Sequence, residues 1–305
     1  MKITDKKRGL ISFSGGETSA YMLYYLLKNK SDEFEFKVVF ANTGCENEET
    51  LNFIQNCSEY FNINIIWVER DFTRGLNGGH RIVDYNSATR LKNWKDGKNP
   101  FEIYVQKFGL PNPVRKDTTN QLKLIPITSY LRSINWHESS YYTFLGIRAD
   151  EFDRISINKN KRKLIYPLIE YIKWTKNHIN FWWSNKPFRL KLKGYEGNCV
   201  FCYKKSDYKI AEIHKQTPHL LDFADYLEFR YAYYIPELRY KDTIVRKLKP
   251  LPSFPLTMYR NNKSLWNCIS NARDFVIDDS VNTNFQNNLF QEESCELFTE
   301  CGIDN

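Results

Sequence analysis

The stretch Gly9-Leu10-Ile11-Ser12-Phe13-Ser14-Gly15-Gly16-Glu17-Thr18-Ser19-Ala20-Tyr21-Met22 constrains the fold more than any other part of the chain. A short apolar run (Leu10, Ile11, Phe13) stops at two glycines, and a helical pattern with Tyr21, Met22, Leu23, Tyr25, Leu26 and Leu27 begins directly behind them. That order predicts strand, tight loop and helix. Gly15 and Gly16 put no side chain in the way of an incoming anion. The helix starting near Thr18 turns its unpaired N–H groups and the positive end of its dipole toward the same point. Ser14, Thr18 and Ser19 add hydroxyl donors, so the stretch suits a phosphate, pyrophosphate or sulfate. It is not a Walker loop, because no Gly-Lys-Ser/Thr follows, and it is not the dinucleotide GxGxxG. An ordinary turn before a capped helix would look the same locally, so the remaining chain has to decide.

The next segments repeat the alternation. Lys37–Ala41 reads as a second strand ended by Asn42-Thr43-Gly44. A helix opening at Asn47 or Glu48 carries Leu51, Phe53, Ile54, Cys57 and Phe61 on one face. Ile63–Val68 is nearly all apolar, as a parallel strand covered on both faces should be. Strand and helix in turn predict an α/β fold, a doubly wound and mostly parallel sheet, with ligands at the carboxyl ends of its strands. The glycine loop and Asn42-Thr43-Gly44 both belong to such ends. Glu69–Pro113 is polar and irregular and reads as a long loop with a short helix near Phe101–Phe108; Arg74, His80, Arg81 and Arg90 within it read as solvated. Thr118 or Thr119 can cap a helix bearing Leu122, Leu124, Ile127 and Leu131. Tyr141–Ile147 reads as a further strand, with Arg148-Ala149-Asp150-Glu151 just past it.

Composition narrows the class. The chain has 305 residues, enough for a substantial core, and no apolar run of membrane-spanning length. Its amino terminus, MKITDKKRG, shows no signal segment, so a cytoplasmic location is expected, the host cytoplasm if a phage encodes it. Seven irregularly spaced cysteines argue for reduced thiols rather than a secreted disulfide framework. The net charge of +8 hides an asymmetry: residues 271–305 hold one base against eight acids, leaving 43 bases against 28 acids before them, a balance of +15. A basic body suits a polyanionic substrate or nucleic acid, although a solvated lysine-rich surface gives the same balance.

The later chain predicts an aromatic helix over Ile169–Trp183, with core packing weighed above base stacking, then helices over Ser206–Tyr240 and a linker at Pro250, Pro252 and Pro255. The resulting division is a nucleotide-binding α/β domain over 1–205, a helical extension over 206–250, and a linker with an acidic cysteine-containing tail over 251–305. Cys199-Val200-Phe201-Cys202 can put two thiolates on one zinc ion or cluster edge, but such a site needs about four ligands. Two structural thiols or a redox pair are the alternatives.

SGGETS at residues 14–19 resembles the SGGxxS signature of the PP-loop superfamily of ATP pyrophosphatases and phosphoadenosine phosphosulfate (PAPS) reductases. With FANTGCENEETLNF, LPNPVRKDTTNQLKLIP, LGIRADE, YPLIE and GNCVFCYKK, it follows the order of the PAPS reductase-like proteins of bacteriophages over residues 9–205. The resemblance implies an adenine nucleotide alpha hydrolase-like fold. It also implies an adenine-nucleotide site of Ser14, Gly15, Gly16, Thr18 and Ser19, with Asn42 and Thr43 near the nucleoside and Lys123 and Arg148 as anion clamps. Glu17 and Thr18 stand where many ATP-using members have Lys and Asp. Thr118 stands where a phage-type relative would carry a cysteine, leaving Cys45, Cys57 and Cys268 as replacements. Glu300-Cys301-Gly302-Ile303 is similar to the tail of PAPS reductases, whose cysteine attacks the substrate's sulfur; Asp304 replaces the usual histidine.

The implied activity is a thiol-dependent reduction or transfer of sulfur from an adenylyl sulfate, with Cys301 as nucleophile and a thioredoxin-like reductant. The alternatives are an ATP- and magnesium-dependent adenylating sulfur transferase acting on nucleic acid, with a [4Fe-4S] cluster or zinc at Cys199 and Cys202, and an idle nucleotide or nucleic-acid binding module. No membrane partner is expected, and the sequence leaves the oligomeric state open, a homodimer among the options.

Overall fold

A computed structural model of the chain describes residues 6–75, 78–113, 117–246 and 252–272. Six strands form one sheet: β1 (Lys7–Ser12), β2 (Phe34–Asn42), β3 (Ile65–Arg70), β4 (His80–Val83), β5 (Tyr141–Phe144) and β6 (Leu164–Ile165), in the order β4-β3-β2-β1-β5-β6. All neighbours are parallel except β3 and β4, which run antiparallel with Trp67 opposite Val83. β1 lies in the middle, Ile11 facing Val38 on one side and Phe144 on the other. The fold is therefore the expected α/β, mostly parallel sheet. β4 falls in the stretch that reads as loop: its four residues are half-buried or exposed, so no apolar alternation marks it.

Alternation along β1 sends Leu10 and Ile11 to opposite faces. Ile11, Phe13 and Phe40 join Met22, Leu23 and Leu26 of α1 (Glu17–Lys30), Leu51, Phe53 and Ile54 of α2 (Glu48–Tyr60), and Trp183 of the helix Lys176–Ser184. Leu10, Val39, Ala41 and Val68 pack under Ile127 and Leu131 of the helix Ile125–Ser133. Each such fully buried side chain contributes about 1.5–3 kcal/mol of transfer free energy, which fixes the two-faced winding of the sheet.

A third apolar cluster joins α3 (Pro100–Phe108) to the Tyr195–Tyr203 segment and to the helices Asp207–Gln216, Asp222–Tyr231 and Leu265–Ala272. Met258, Tyr259, Leu265, Cys268 and Ile269 are buried in it, so the described residues that follow the proline-marked stretch pack against the helical region. The aromatic segment is two helices rather than one. A short turn of helix, Pro167–Glu170, is followed by Thr175, which caps Lys176–Ser184 in a reciprocal capping box with His178. No helix among the described residues is long and apolar enough to cross a membrane.

Candidate functional site

The loop between β1 and α1 divides its work between two glycines. Gly15 has φ +81°, the left-handed region, and a Cβ there would stand 2.8 Å from Thr50 Cγ2 and 2.9 Å from Ile54 Cδ1. Its missing side chain makes room for α2, not for a ligand. Gly16 is the residue before α1, in an extended conformation with no side-chain cap on the helix. The place its Cβ would take lies 3.5 Å from Asn198 Nδ2 and 3.8 Å from Ser14 Oγ, a polar niche. Ser14 Oγ donates to Ser19 Oγ (3.0 Å), and Ser19 Oγ donates to the Gly16 carbonyl (2.9 Å), so the two hydroxyls brace the turn.

Asn198 holds the loop from outside it, and Glu17 and Lys205 stand at its borders. Asn198 donates from Nδ2 to the Ser14 carbonyl (2.9 Å) while its own carbonyl accepts from Asn47 N–H (2.7 Å), tying the segment before Cys199 to the glycine loop. Glu17 points away from the anion niche: it accepts two hydrogen bonds from Arg189, both 2.9 Å, and its backbone carbonyl accepts from Trp183 Nε1 (3.0 Å). The residue that replaces the ATP users' lysine is thus a strut for the 183–190 segment. Lys205, buried and without an ion pair among the described residues, brings its ammonium to within 2.9 Å of where a Gly197 Cβ would be.

Arg148 follows β5 and is 8 % exposed. Its guanidinium pairs with Asp150 (Nε to Oδ1, 3.1 Å) and Glu151 (3.5 Å), and Nη1 also donates to Thr18 Oγ1 (3.3 Å) at the start of α1. The carboxylates orient the fork and Thr18 receives one arm of it. A Cβ at Gly146 would come 3.0 Å from Ser19 Cα, so only glycine lets the Arg148 loop approach α1 this closely.

At the end of β2 the side chains are spent on structure. Asn42, buried, donates to Glu69 Oε1 (2.6 Å) and the Thr89 carbonyl (2.9 Å), and Glu69 also binds Arg81 and the Thr89 N–H. Arg81 and Arg90, which read as solvated, anchor Glu69 and Glu48 respectively. Thr43 donates from N–H (2.9 Å) and Oγ1 (2.8 Å) to the buried Glu46 carboxylate. Burial raises the Glu46 pKa, and the Lys123 ammonium and the Thr43 bonds pull it back. Lys123 sits in a π-helical stretch, Asn120–Leu124, that leads into Ile125–Ser133.

Beside this pair lies a cavity of about 50 Å³, lined among others by Thr43, Glu46, Thr118, Lys123, Cys199 and Cys202. The cysteine segment reaches it as an antiparallel bridge, Glu46 opposite Cys199, with Val200 N–H donating to the Cys45 carbonyl (3.0 Å). The expected metal site is not built there: among the described residues no group of three or more His, Cys, Asp or Glu side chains could hold a metal ion. The replacements are occupied otherwise. Cys45 is fully buried and its thiol pKa is pushed well up by desolvation; burial in α2 pushes Cys57 up, and burial followed by the Asp207 charge pushes Cys268 to about 12. All three are neutral packing thiols. Cys301 lies outside the described residues.

Comparison with known proteins agrees with this architecture. The family described as "Phosphoadenosine phosphosulfate reductase domain" matches residues 8–179, from β1 into the helix Lys176–Ser184. An uncharacterized nin region protein of Escherichia phage lambda is 34 % identical over 205 residues, covering 66 % of this chain and 68 % of the relative. An uncharacterized protein of Methanocaldococcus jannaschii is 27 % identical over 229 residues, 70 % of this chain and 40 % of that protein.

Proposed function

The chain belongs to the phosphoadenosine phosphosulfate reductase domain family, and from that premise we propose that it is an adenine-nucleotide enzyme acting on the sulfur of an adenylyl sulfate. The observation that carries this reading is the Arg148 guanidinium held by Asp150 and Glu151 and reaching Thr18 Oγ1 at the start of α1. A guanidinium fork, two N-terminal hydroxyls and a helix dipole converge beside the Gly16 niche, where an anion gains from all of them. Lys205, with its ammonium beside Gly197, is a further cation in the segment that Asn198 ties to the loop. Lys123 is a weaker anion clamp than the resemblance suggests, because the buried Glu46 already takes its field.

In this reading the nucleotide phosphates sit on the Gly16 niche and the sulfate faces Arg148. A cysteine thiolate, for which Cys301 is the candidate, attacks the sulfate's sulfur; an S–S bond forms and the S–O bond to the nucleotide phosphate breaks, its electron pair leaving with the phosphate. A second thiol then attacks the cysteine sulfur and sulfite leaves with the bonding pair. The two thiols become a disulfide, which a thioredoxin-like dithiol reduces. Cys199 and Cys202, half-buried at the neighbouring cavity, are the alternative thiol pair.

Thioredoxin-coupled sulfite release from PAPS tests this, with wild type, Cys301→Ser and Cys199→Ser/Cys202→Ser compared. The reading expects sulfite from wild type and its loss in the variant that lacks the nucleophile, with nucleotide affinity retained. AMP and pyrophosphate formed from ATP, with no sulfite from PAPS, would overturn it in favour of adenylation.

A further inference from the structure

The segment from Tyr171 to Tyr195 contains six basic residues, seven aromatic residues and no acid. Trp183 and Tyr195 are buried, while Trp174, Phe181 and Trp182 line a cleft of about 390 Å³ together with His178, Asn185 and Lys186. Phe181 presents its ring to solvent at 74 % exposure, on the same helix as Trp182. Trp174 is backed by Tyr21, stacked at 4.0 Å and 5°, so the wall of the cleft is rigid. The Lys186 ammonium stands 4.2 Å from the centre of the Trp182 ring. Arg189 is neutralised by Glu17, but Lys173, Lys176, Lys186 and Lys191 make no ion pair with a carboxylate among the described residues.

Two hydrogen bonds tie the segment that lines the cleft to the neighbourhood of the glycine loop. The Trp174 carbonyl accepts from Ala149 N–H (2.8 Å), the residue after Arg148, and Trp183, next to Trp182, donates to the Glu17 carbonyl.

We infer that this cleft is a docking surface for single-stranded nucleic acid. The exposed Phe181 ring offers a π-face to an unstacked base, and Lys186 on the same cleft can meet a phosphate, the combination by which single strands are held without reading their sequence. An acidic peptide would match the charge but has no use for an exposed phenyl ring beside an indole. A duplex would hide its base faces. The inference goes beyond the adenylyl sulfate reading and does not rest on it; it places a polynucleotide next to the site where a nucleotide would react.

Fluorescence anisotropy with fluorescein-labelled oligo(dT) and oligo(U) of about 12 nucleotides tests it. Wild type should bind both, more weakly as salt rises, with affinity falling linearly on a log–log scale. Phe181→Ala, at an exposed position, should lose about 5- to 100-fold and Phe181→Trp should restore binding, because stacking is what the ring supplies. Lys186→Gln should weaken binding less and lower the salt slope by about one phosphate contact. The inference is overturned if neither oligonucleotide binds at low salt, if Phe181→Ala binds as tightly as wild type, or if polyglutamate displaces the strand as well as unlabelled oligo(dT) does. The measurement contains no mononucleotide, so a wrong assignment of the glycine loop would leave its outcome unchanged.

Discussion

Two regions at the carboxyl edge of one sheet have opposite characters. Around Gly16 the surface is polar: Ser14, Thr18, Asn198 and Arg148 surround it with polar groups, and the Arg148 counter-charges lie on the same short loop. Around Cys199 and Cys202 the cavity is small and largely apolar, with Phe101, Leu122, Phe201 and Met258 in its walls and its one carboxylate, Glu46, bonded by backbone and hydroxyl. The difference follows from what builds them. The first region is a helix start, where backbone N–H groups have no partners and an anion is welcome. The second is a seam between the sheet and the C-terminal helices, where charge is tolerated only when paired. One region is made to receive an anion and the other to keep thiols from water.

The largest expected effect breaks the idea that both glycines of the loop serve the ligand. Gly15→Val puts a β-branched residue at φ +81° and drives its Cβ into Thr50 and Ile54. Left-handed strain and overpacking together should destabilise the fold by about 4 kcal/mol in urea denaturation. A loss of nucleotide affinity with unchanged stability would show that Gly15, too, belongs to the ligand.

Lys123→Met tests the enclosed region. Without the ammonium, the buried Glu46 carboxylate loses the strongest influence lowering its pKa. The destabilisation should be about 2–3 kcal/mol near pH 8, below the figure for a fully enclosed pair because Lys123 is only half-buried. The sign is fixed by linkage: a carboxyl that holds its proton more tightly folded than unfolded loses relative stability as pH rises. The gap between variant and wild type should therefore open as pH rises above the ordinary carboxylate range, through the raised folded-state pKa of Glu46, and close below that range. Thermal melts across that range measure it.

Arg148→Lys sharpens the polar region by a smaller amount. A lysine keeps the charge but cannot hold Asp150, Glu151 and Thr18 while facing an anion. Affinity for adenosine bisphosphate should fall about 10- to 30-fold, the cost of one charge-assisted hydrogen bond, with little change in melting temperature. An equal affinity in calorimetry would remove Arg148 from the site.

The same contrast explains what the sequence discloses. The polar region is local: strand, glycines and helix are consecutive, so Ser14, Gly16, Thr18 and Ser19 are readable from a dozen residues. Phe101–Phe108 likewise announces its helix, observed over Pro100–Phe108, through its own apolar spacing. The cavity draws on residues 43, 46, 118, 123, 199, 202 and 258, far apart in the chain, and no periodicity predicts their meeting. Asn198 was unreadable because a side-chain amide that ties two loops has no motif. Glu17 was read as a departure from a pattern, and its bond to Arg189 exists only once residue 189 is folded against α1. Asn42 was expected near a nucleoside; its amide is committed to Glu69 and Thr89, a network that forms only when β2, β3 and the following loop are in place.

The central claim is that the niche beside Gly16 holds the anionic part of an adenine nucleotide. Calorimetric titration of wild type and Gly16→Val with adenosine bisphosphate tests it most directly, since Gly16 has an extended backbone and room for a side chain only between Asn198 and Ser14. Wild type should bind saturably, and a Gly16→Val protein that melts at the wild-type temperature should not bind. Equal affinity in that folded variant would contradict it.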